Sequence, residues 1–347
     1  MIDTIKLLIP LESALVEKLK SNLTRFRKED LKSGKIEFEF FTANIELGSY
    51  HRTIAIKSTD NPQGLFVEFS VPKYEKGNNV EMIYPNNLIN IMEKLYVEIC
   101  EYMDYELPHF SMWPVYRLDI CYNWILKDID QAKQALSFIK RLDFPRKTRF
   151  EYETSIMYKG SSYTIKFYLK GPEFKKHDSK KLPIEQSVEL QNWADKILRF
   201  EVNLKRTYLE GLLGYDKVLV EHIANNETIL ENLSHYLKQV FFYVNTKTME
   251  DSEIEAILFS KFSKQKATRL FSFHKEYYAN GPIKQMYARG GLNRTTIYRY
   301  KKDLKLAGIG FSSELPLEKS SILEQLIIPS PNSKFELLDF KSNISNI

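Results

Sequence analysis

The segment Val115–Ile125 reads VYRLDICYNWI, and its alternation sets the fold class. Side chains on a strand point to opposite faces in turn. Leu118, Ile120, Tyr122 and Trp124 therefore share one face, and Arg117, Asp119, Cys121 and Asn123 the other. A strand apolar on one side and charged on the other belongs to an antiparallel sheet with one covered face. Downstream, DIDQAKQALSFIKRL (128–142) is an amphipathic helix, and FEYETSIMYK (150–159) and YTIKFYLK (163–170) are strands about a GSS turn. PIEQSVELQNWADKI (183–197) is a helix with proline in its first turn, and ILRFEVNLKR (197–206) is again a strand. The order β-α-β-β-α-β predicts an α+β fold of the ferredoxin-like kind, with both helices on the apolar face and the other face open.

Upstream, short alternating stretches at 4–10, 35–41, 52–58 and 65–71 predict further strands, and 85–103 has the apolar spacing of a helix. From about Asn225 the pattern turns helical and lysine-rich. SKQKATRLFSFHKEYYANG (263–281), a turn containing Gly290 and Gly291, and a helix opening at Asn293 read as a helix-turn-helix. Beyond about Ser312 no period is visible. The chain thus divides into an α+β part over 1–215 with its core at about 113–208, a helical part over 216–312, and a loosely ordered tail over 313–347.

Composition excludes several classes. Hydrophobic residues at 43% and charged residues at 27% suit a chain that buries a core, not a disordered one. No apolar run approaches the roughly 20 residues that span a bilayer, and the N-terminus lacks a secretory cleavage pattern. Cys100 and Cys121 alone make no disulfide framework, which predicts reduced thiols and a cytoplasmic protein. The net charge of +5 permits a nucleic-acid partner without requiring one. The 21 tyrosines and 22 phenylalanines suit base stacking and a sheet-rich core equally.

The same alternation places Thr164, Lys166, Tyr168 and Lys170 on the polar side of their strand, and Arg199, Glu201, Asn203 and Lys205 on the polar side of the last one. If the three strands share a sheet, Asp119, Tyr168, Lys170 and Glu201 meet on its open face. Two carboxylates aimed at one point repel each other, and a divalent cation, magnesium or manganese, resolves the repulsion with hard oxygen ligands. A metal beside a tyrosine hydroxyl is the equipment of phosphoryl transfer, with Tyr168 as nucleophile and Lys170 beside it. Lys170, Lys166 and Arg199 would hold the DNA backbone or stabilise developing charge. Glu173 and His177, four residues apart, add two further candidate ligands. The competing reading is a plain solvated sheet face, with Glu201 in a surface ion pair between Arg199 and Lys205. In the helical part, Arg294, Thr295 and Arg299 open the candidate recognition helix, where side chains meet base edges.

Taken in order, MIDTIKLLIP, YRLDICYNW, KFYLKGPEFKKH, LRFEVNLKRTYLEGLLG and TTIYRYKKDLKLAGI resemble the phage and plasmid replication initiators of the filamentous-phage gene II type, over nearly the whole chain. The resemblance implies a relaxase-like nicking domain. It also implies a metal-dependent nickase that cuts one strand at a replication origin through a covalent 5′-phosphotyrosine, supports rolling-circle synthesis, and works with host helicase and polymerase. It assigns the nucleophile to Tyr168 and metal binding to Asp119 and Glu201. Tyr158, before the Gly-Ser turn, is the rival nucleophile. A non-catalytic origin-binding initiator that only recruits host proteins is the alternative function, whereas the paired arginines of a tyrosine recombinase are not seen.

Overall fold

The computed structural model describes residues 1–30, 33–46, 53–58, 64–140, 142, 144, 147–241, 251–280, 292–309, 326 and 328. Among these described residues, ten strands form one sheet: β1 Ile2–Pro10, β2 Thr24–Glu29, β3 Ile36–Glu46, β4 Thr53–Ser58, β5 Gly64–Ser70, β6 Val115–Ile125, β7 Thr148–Tyr152, β8 Ser155–Lys159, β9 Tyr163–Leu169 and β10 Ile197–Lys205. The order across the sheet is β2-β3-β4-β5-β1-β6-β10-β9-β8-β7, and every neighbouring pair is antiparallel. The helices are α1 Ser13–Leu19, α2 Val71–Lys76, α3 Leu88–Met103, α4 Ile129–Ile139, α5 Lys170–His177, α6 Ile184–Ala194, α7 Arg206–Leu213, α8 Val220–Ile223, α9 Asn226–Phe241, α10 Asp251–Lys261, α11 Lys264–Asn280 and α12 Arg294–Leu306.

The expected α+β class and antiparallel sheet are present, but the strand order is not the ferredoxin-like one. The last strand, β10, enters between β6 and β9, and β6 continues on its other edge into β1. The predicted core is therefore half of a continuous sheet. Residues 150–159, expected as a single strand, fold back as the β7–β8 hairpin, in which Tyr152 pairs with Ser155 across a two-residue turn. The strand expected to reach Lys170 stops at Leu169, and α5 begins there. Strand β2, fully exposed along its length, carries no apolar alternation and was not anticipated.

The apolar face holds the core expected from the alternation. Ile120, Trp124, Ile165, Phe167, Phe200 and Val202 are all buried. The Phe167 and Phe200 rings lie 4.9 Å apart, with Trp124 stacked on both. The polar face is not wholly open. The loop between α2 and α3 crosses it and accepts hydrogen bonds at the backbone oxygens of Asn79 and Val80, so that Asn123 and Arg199 are buried on both sides.

The chain separates into two compact units. The first takes residues 1–132 and 148–234 with Ile328, and the second 133–147 and 235–327. The boundary expected at 216 lies within the first unit, where α8 buries Val220 and Ile223 and the Val218 carbonyl accepts from the Val115 amide at 2.7 Å. The second unit has its own core of Ile254, Leu258, Ala267, Leu270, Phe273, Ile297 and Leu304, with Lys266 and Asp303 joining α11 to α12 at 2.9 Å. The expected Gly290–Gly291 turn lies outside the described residues, as does the tail after Ile309 apart from Leu326 and Ile328.

Helix α5 is seated by a close approach. A Cβ on Gly171 would stand 2.0 Å from Asp195 Oδ1 and 2.9 Å from Asp195 Cα. The Gly171 carbonyl accepts from Gln191 Nε2 of α6 at 3.1 Å. Gly171→Ala should cost about 1–3 kcal/mol of stability by forcing α5 away from α6, read as a lowered urea midpoint with unchanged slope.

Candidate active site

Strand register brings the polar side chains together. Glu201 lies directly across from Lys166, Arg199 from Tyr168, and Asn203 from Asp119. The Tyr168 hydroxyl donates to Glu201 Oε2 at 3.1 Å, reaching diagonally past its direct partner. Lys166 Nζ donates to Glu201 Oε1 at 2.6 Å. One carboxylate thus gathers the phenol and the ammonium from the neighbouring strand.

Asp119 is held differently. Arg117, two residues earlier on the same face, grips both of its oxygens, and Asn203 Nδ2 donates to Oδ1. The remaining arm of Arg117 donates to Glu68 on β5 at 2.9 Å. Burial pushes Asp119 up to about 6. The Arg117 hydrogen bonds act against this shift, and the nearby Glu201 charge adds to it.

Behind these groups is a buried cation. Arg199 is fully buried. Its Nε donates to Asn123 Oδ1 at 2.7 Å, Nη1 to Asp3 Oδ1 at 3.3 Å, and Nη2 to the carbonyls of Asn79 at 2.5 Å and Val80 at 3.2 Å. A bulge makes the Asp3 contact possible. Ile2 pairs with Ile120 and Thr4 with Asp119, which leaves Asp3 as the extra residue in β1. Burial acts to lower Arg199, but the surrounding negative groups outweigh it and the guanidinium stays charged.

Lys170 is buried at the first position of α5. It donates to Asn79 Oδ1 at 2.8 Å and pairs with Glu173 one turn on. Burial lowers it to about 8, with the Arg199 charge acting in the same direction. Arg199 and Lys170 therefore cannot touch a DNA backbone as the sequence suggested. Both face inward, because the loop at residues 78–80 supplies the acceptors that solvent was expected to supply.

A cavity of about 440 Å³ opens beside this network. Asp119, Lys166, Tyr168, Glu173, His177 and Glu201 all line it, together with Asp3 and Arg117. Burial raises the Tyr168 phenol well above its ordinary value. The Glu201 charge adds to the shift, and Arg199 partly offsets it. Burial acts to lower Lys166, yet Glu201 prevails and holds its ammonium above the usual value. Tyr158 stands apart: it pairs with Ile165, is fully buried, and lies on the apolar face. Tyr158 is thus on the side of the sheet away from the cavity.

Carboxylate oxygens with one imidazole form a donor set suited to magnesium or manganese. Each carboxylate has about four lone-pair sites, so Glu201 and Asp119 retain acceptor capacity beyond their present partners. The chemistry of the donors fits such an ion, although among the described residues no three His, Cys, Asp or Glu side chains already converge on one point.

Sequence reading missed Asp3, Asn79 and Arg117 as parts of this site. Asp3 had a legible signal, since it interrupts the alternation of IDTIKLL. Asn79 had none, being one polar residue in a loop. In the second unit α12 starts as expected, with Asn293 Oδ1 accepting from the Thr296 amide at 2.8 Å. Arg294 is its first residue, and Thr295 and Arg299 are exposed.

The family described as the N-terminal part of the gene II replication-associated protein matches residues 1–218, which contain the whole sheet and the cavity. A rolling-circle replication initiator from Geobacillus stearothermophilus aligns over 67% of this chain and 83% of its own, at 12% identity and a TM-score of 0.33, too loosely to compare sites. No curated protein sequence matches the chain.

Truncating Arg199 tests the network. Arg199→Ala leaves Asp3 Oδ1, Asn123 Oδ1 and the Asn79 carbonyl without their donor, and the Val80 carbonyl with Asn123 alone, and should cost about 3–5 kcal/mol of stability. Urea unfolding measures this. A loss below about 1 kcal/mol would mean that the loop at residues 78–80 does not depend on the guanidinium.

Proposed function

Since the chain belongs to the gene II family of replication-associated proteins, we propose that it nicks and rejoins one DNA strand at a replication origin through Tyr168, initiating rolling-circle replication. The observation that carries this reading is the hydrogen bond from the Tyr168 hydroxyl to Glu201 inside the cavity. A phenol with its pKa raised is not a nucleophile until a base removes its proton. Glu201 is the group placed to accept it. The phenolic oxygen then bonds to phosphorus, the 3′ oxygen of the preceding nucleotide leaves and takes a proton from water to become a 3′ hydroxyl, and the DNA is held as a 5′-phosphotyrosine. Attack by a 3′ hydroxyl reverses the sequence and returns the proton to Tyr168. Lys166 and Arg117, both on the cavity wall, face the charge that grows on the phosphate oxygens.

Magnesium or manganese would be held by Asp119 and Glu201, with Glu173 and His177 as further donors. When bound, such an ion supplies a Lewis acid for the phosphate. Duplex origin DNA is the proposed partner of α12, through Arg294, Thr295 and Arg299. Host helicase and polymerase would follow at the nick, and the cytoplasm is the proposed compartment. Among the described residues no helix is long and apolar enough to cross a membrane.

Supercoiled DNA carrying the parent origin, incubated with magnesium and run on a denaturing gel, tests the reading. The wild-type chain should leave nicked circles and a covalent adduct. Tyr168→Phe should lower the yield by several orders of magnitude, Glu201→Gln by roughly 10²–10⁴, and Tyr158→Phe hardly at all. Nicking by Tyr168→Phe at the wild-type rate would remove the proposed nucleophile.

The carboxyl of Asp119 makes a pH prediction. It keeps its proton up to about 6 in the folded chain, and only the ionised form binds a cation. The nicking rate should therefore rise with pH through an acid limb near 6, and that limb should move lower as magnesium is increased. A limb that ignores magnesium would take Asp119 out of the metal site.

A further inference from the structure

The polar face that carries Tyr168 continues to the far edge of the sheet, and its character changes there. Register places Phe26 on β2 across from Phe40 on β3, and Lys28 across from Phe38. On the same face Thr42 pairs with Lys57, and Lys57 with Phe66. Phe26 and Phe38 are each about half exposed, at 48% and 49%. With Phe40 they form a row of nearly parallel rings, 5.1 Å and 6.0 Å between centroids. Three stacked phenylalanines on the open face of an edge hairpin are a surface that something covers.

Charge decides what covers it. The acidic residues Glu29 and Glu39 point to the opposite face, where they pair with Arg27 and Arg25. Lys28 and Lys57, both exposed, flank the rings on the aromatic side. Lysine is depleted from protein–protein interfaces, whereas aromatic rings set between lysines are the equipment of a single-strand platform. The face is also continuous with the cavity. Lys6 sits 4.3 Å over the Phe66 ring, Phe66 meets the Tyr116 ring edge-on at 4.7 Å, and Lys6 pairs across the sheet with Arg117 of the cavity wall.

We infer that the β2–β3 aromatic row, with Lys28 and Lys57, is a second single-strand-binding site that stacks the bases of DNA lying across the polar face. The inference rests on the nicking reading for the identity of its ligand. From β2 to β9 there are seven strand spacings of ~4.8 Å, roughly 34 Å in all. That corresponds to about ten nucleotides at the 3.4 Å rise of a B-form strand, and to fewer if the strand is extended. The strand held at Tyr168 would thus be gripped a second time, away from the cut, without any sequence readout.

The test uses the full chain and fluorescein-labelled dT20, followed by anisotropy at several salt concentrations. The double variant Phe26→Ala/Phe38→Ala should weaken binding by about 5- to 150-fold for each base that loses its ring. Phe26→Tyr/Phe38→Tyr, which keeps the rings, should bind as the wild type does. Lys28→Ala/Lys57→Ala should flatten the slope of log K against log salt by about 1.4 for two lost phosphate contacts. Unchanged dT20 affinity in the alanine variant, an equal loss in the tyrosine variant, or no dT20 binding by the wild type would each overturn the inference. A change of oligomeric state at unchanged dT20 affinity would overturn it too, and would make the row a contact between two copies of the chain. Adduct formation on supercoiled origin DNA keeps the two readings separate. A chain that makes no adduct but shows ring-dependent dT20 binding contradicts only the nicking reading. A chain that makes the adduct with ring-independent dT20 binding contradicts only this one.

Discussion

A fully buried guanidinium needs acceptors for its donors, and at Arg199 that requirement organises the centre of the sheet. Its partners come from the bulge in β1, from β6, and from the backbone of the loop after α2. Each would lose a hydrogen bond in a low-dielectric setting if the arginine moved, which makes the arrangement costly to disturb. The loop is thereby pressed onto the polar face at one end of the strands. The cavity remains beside it, where Asp119, Tyr168 and Glu201 can meet a substrate.

The network also explains how a tyrosine can be both held and usable. Tyr168 faces Arg199 across the strand pair, so a buried positive charge partly offsets the burial and the Glu201 charge that keep its proton on. Glu201 is in turn anchored by Lys166, which fixes the carboxylate while leaving Oε2 to the phenol. On the proposed reading, Glu201 is the base at hydrogen-bond distance from a phenol that keeps its proton until a phosphate is bound.

Much of this was legible in the residues, because alternation is a local property of the chain. The polar sets of β6, β9 and β10 follow from reading every second residue, and they do meet on one face. The four-residue spacing of Glu173 and His177 put them on one helical face, and α5 does run through both; that this face lines the cavity was not legible, because no local pattern shows where α5 lies against the sheet. The order of strands was not legible, because no local pattern states that β10 inserts between β6 and β9 or that β1 lies against β6. Burial of Arg199 and Lys170 was hidden for the same reason. The acceptors that permit it belong to Asn79 and Val80, about 90 to 120 residues away in the chain. The break between Tyr152 and Ser155 was obscured because EYETSIMYK has strand-like composition throughout. A two-residue turn without glycine or proline leaves little trace.

The central claim is that one particular oxygen, the phenol of Tyr168, becomes bonded to DNA. Peptide mapping of the covalent adduct tests it most directly. The full chain is reacted with supercoiled origin DNA and magnesium, the DNA and then the protein are digested, and the nucleotide-bearing peptide is sequenced by mass spectrometry. The account predicts the modification on Tyr168, within the peptide that contains Phe167 and Leu169. A nucleotide on Tyr158 or on any other residue, or nicked DNA with no modified peptide at all, would contradict it.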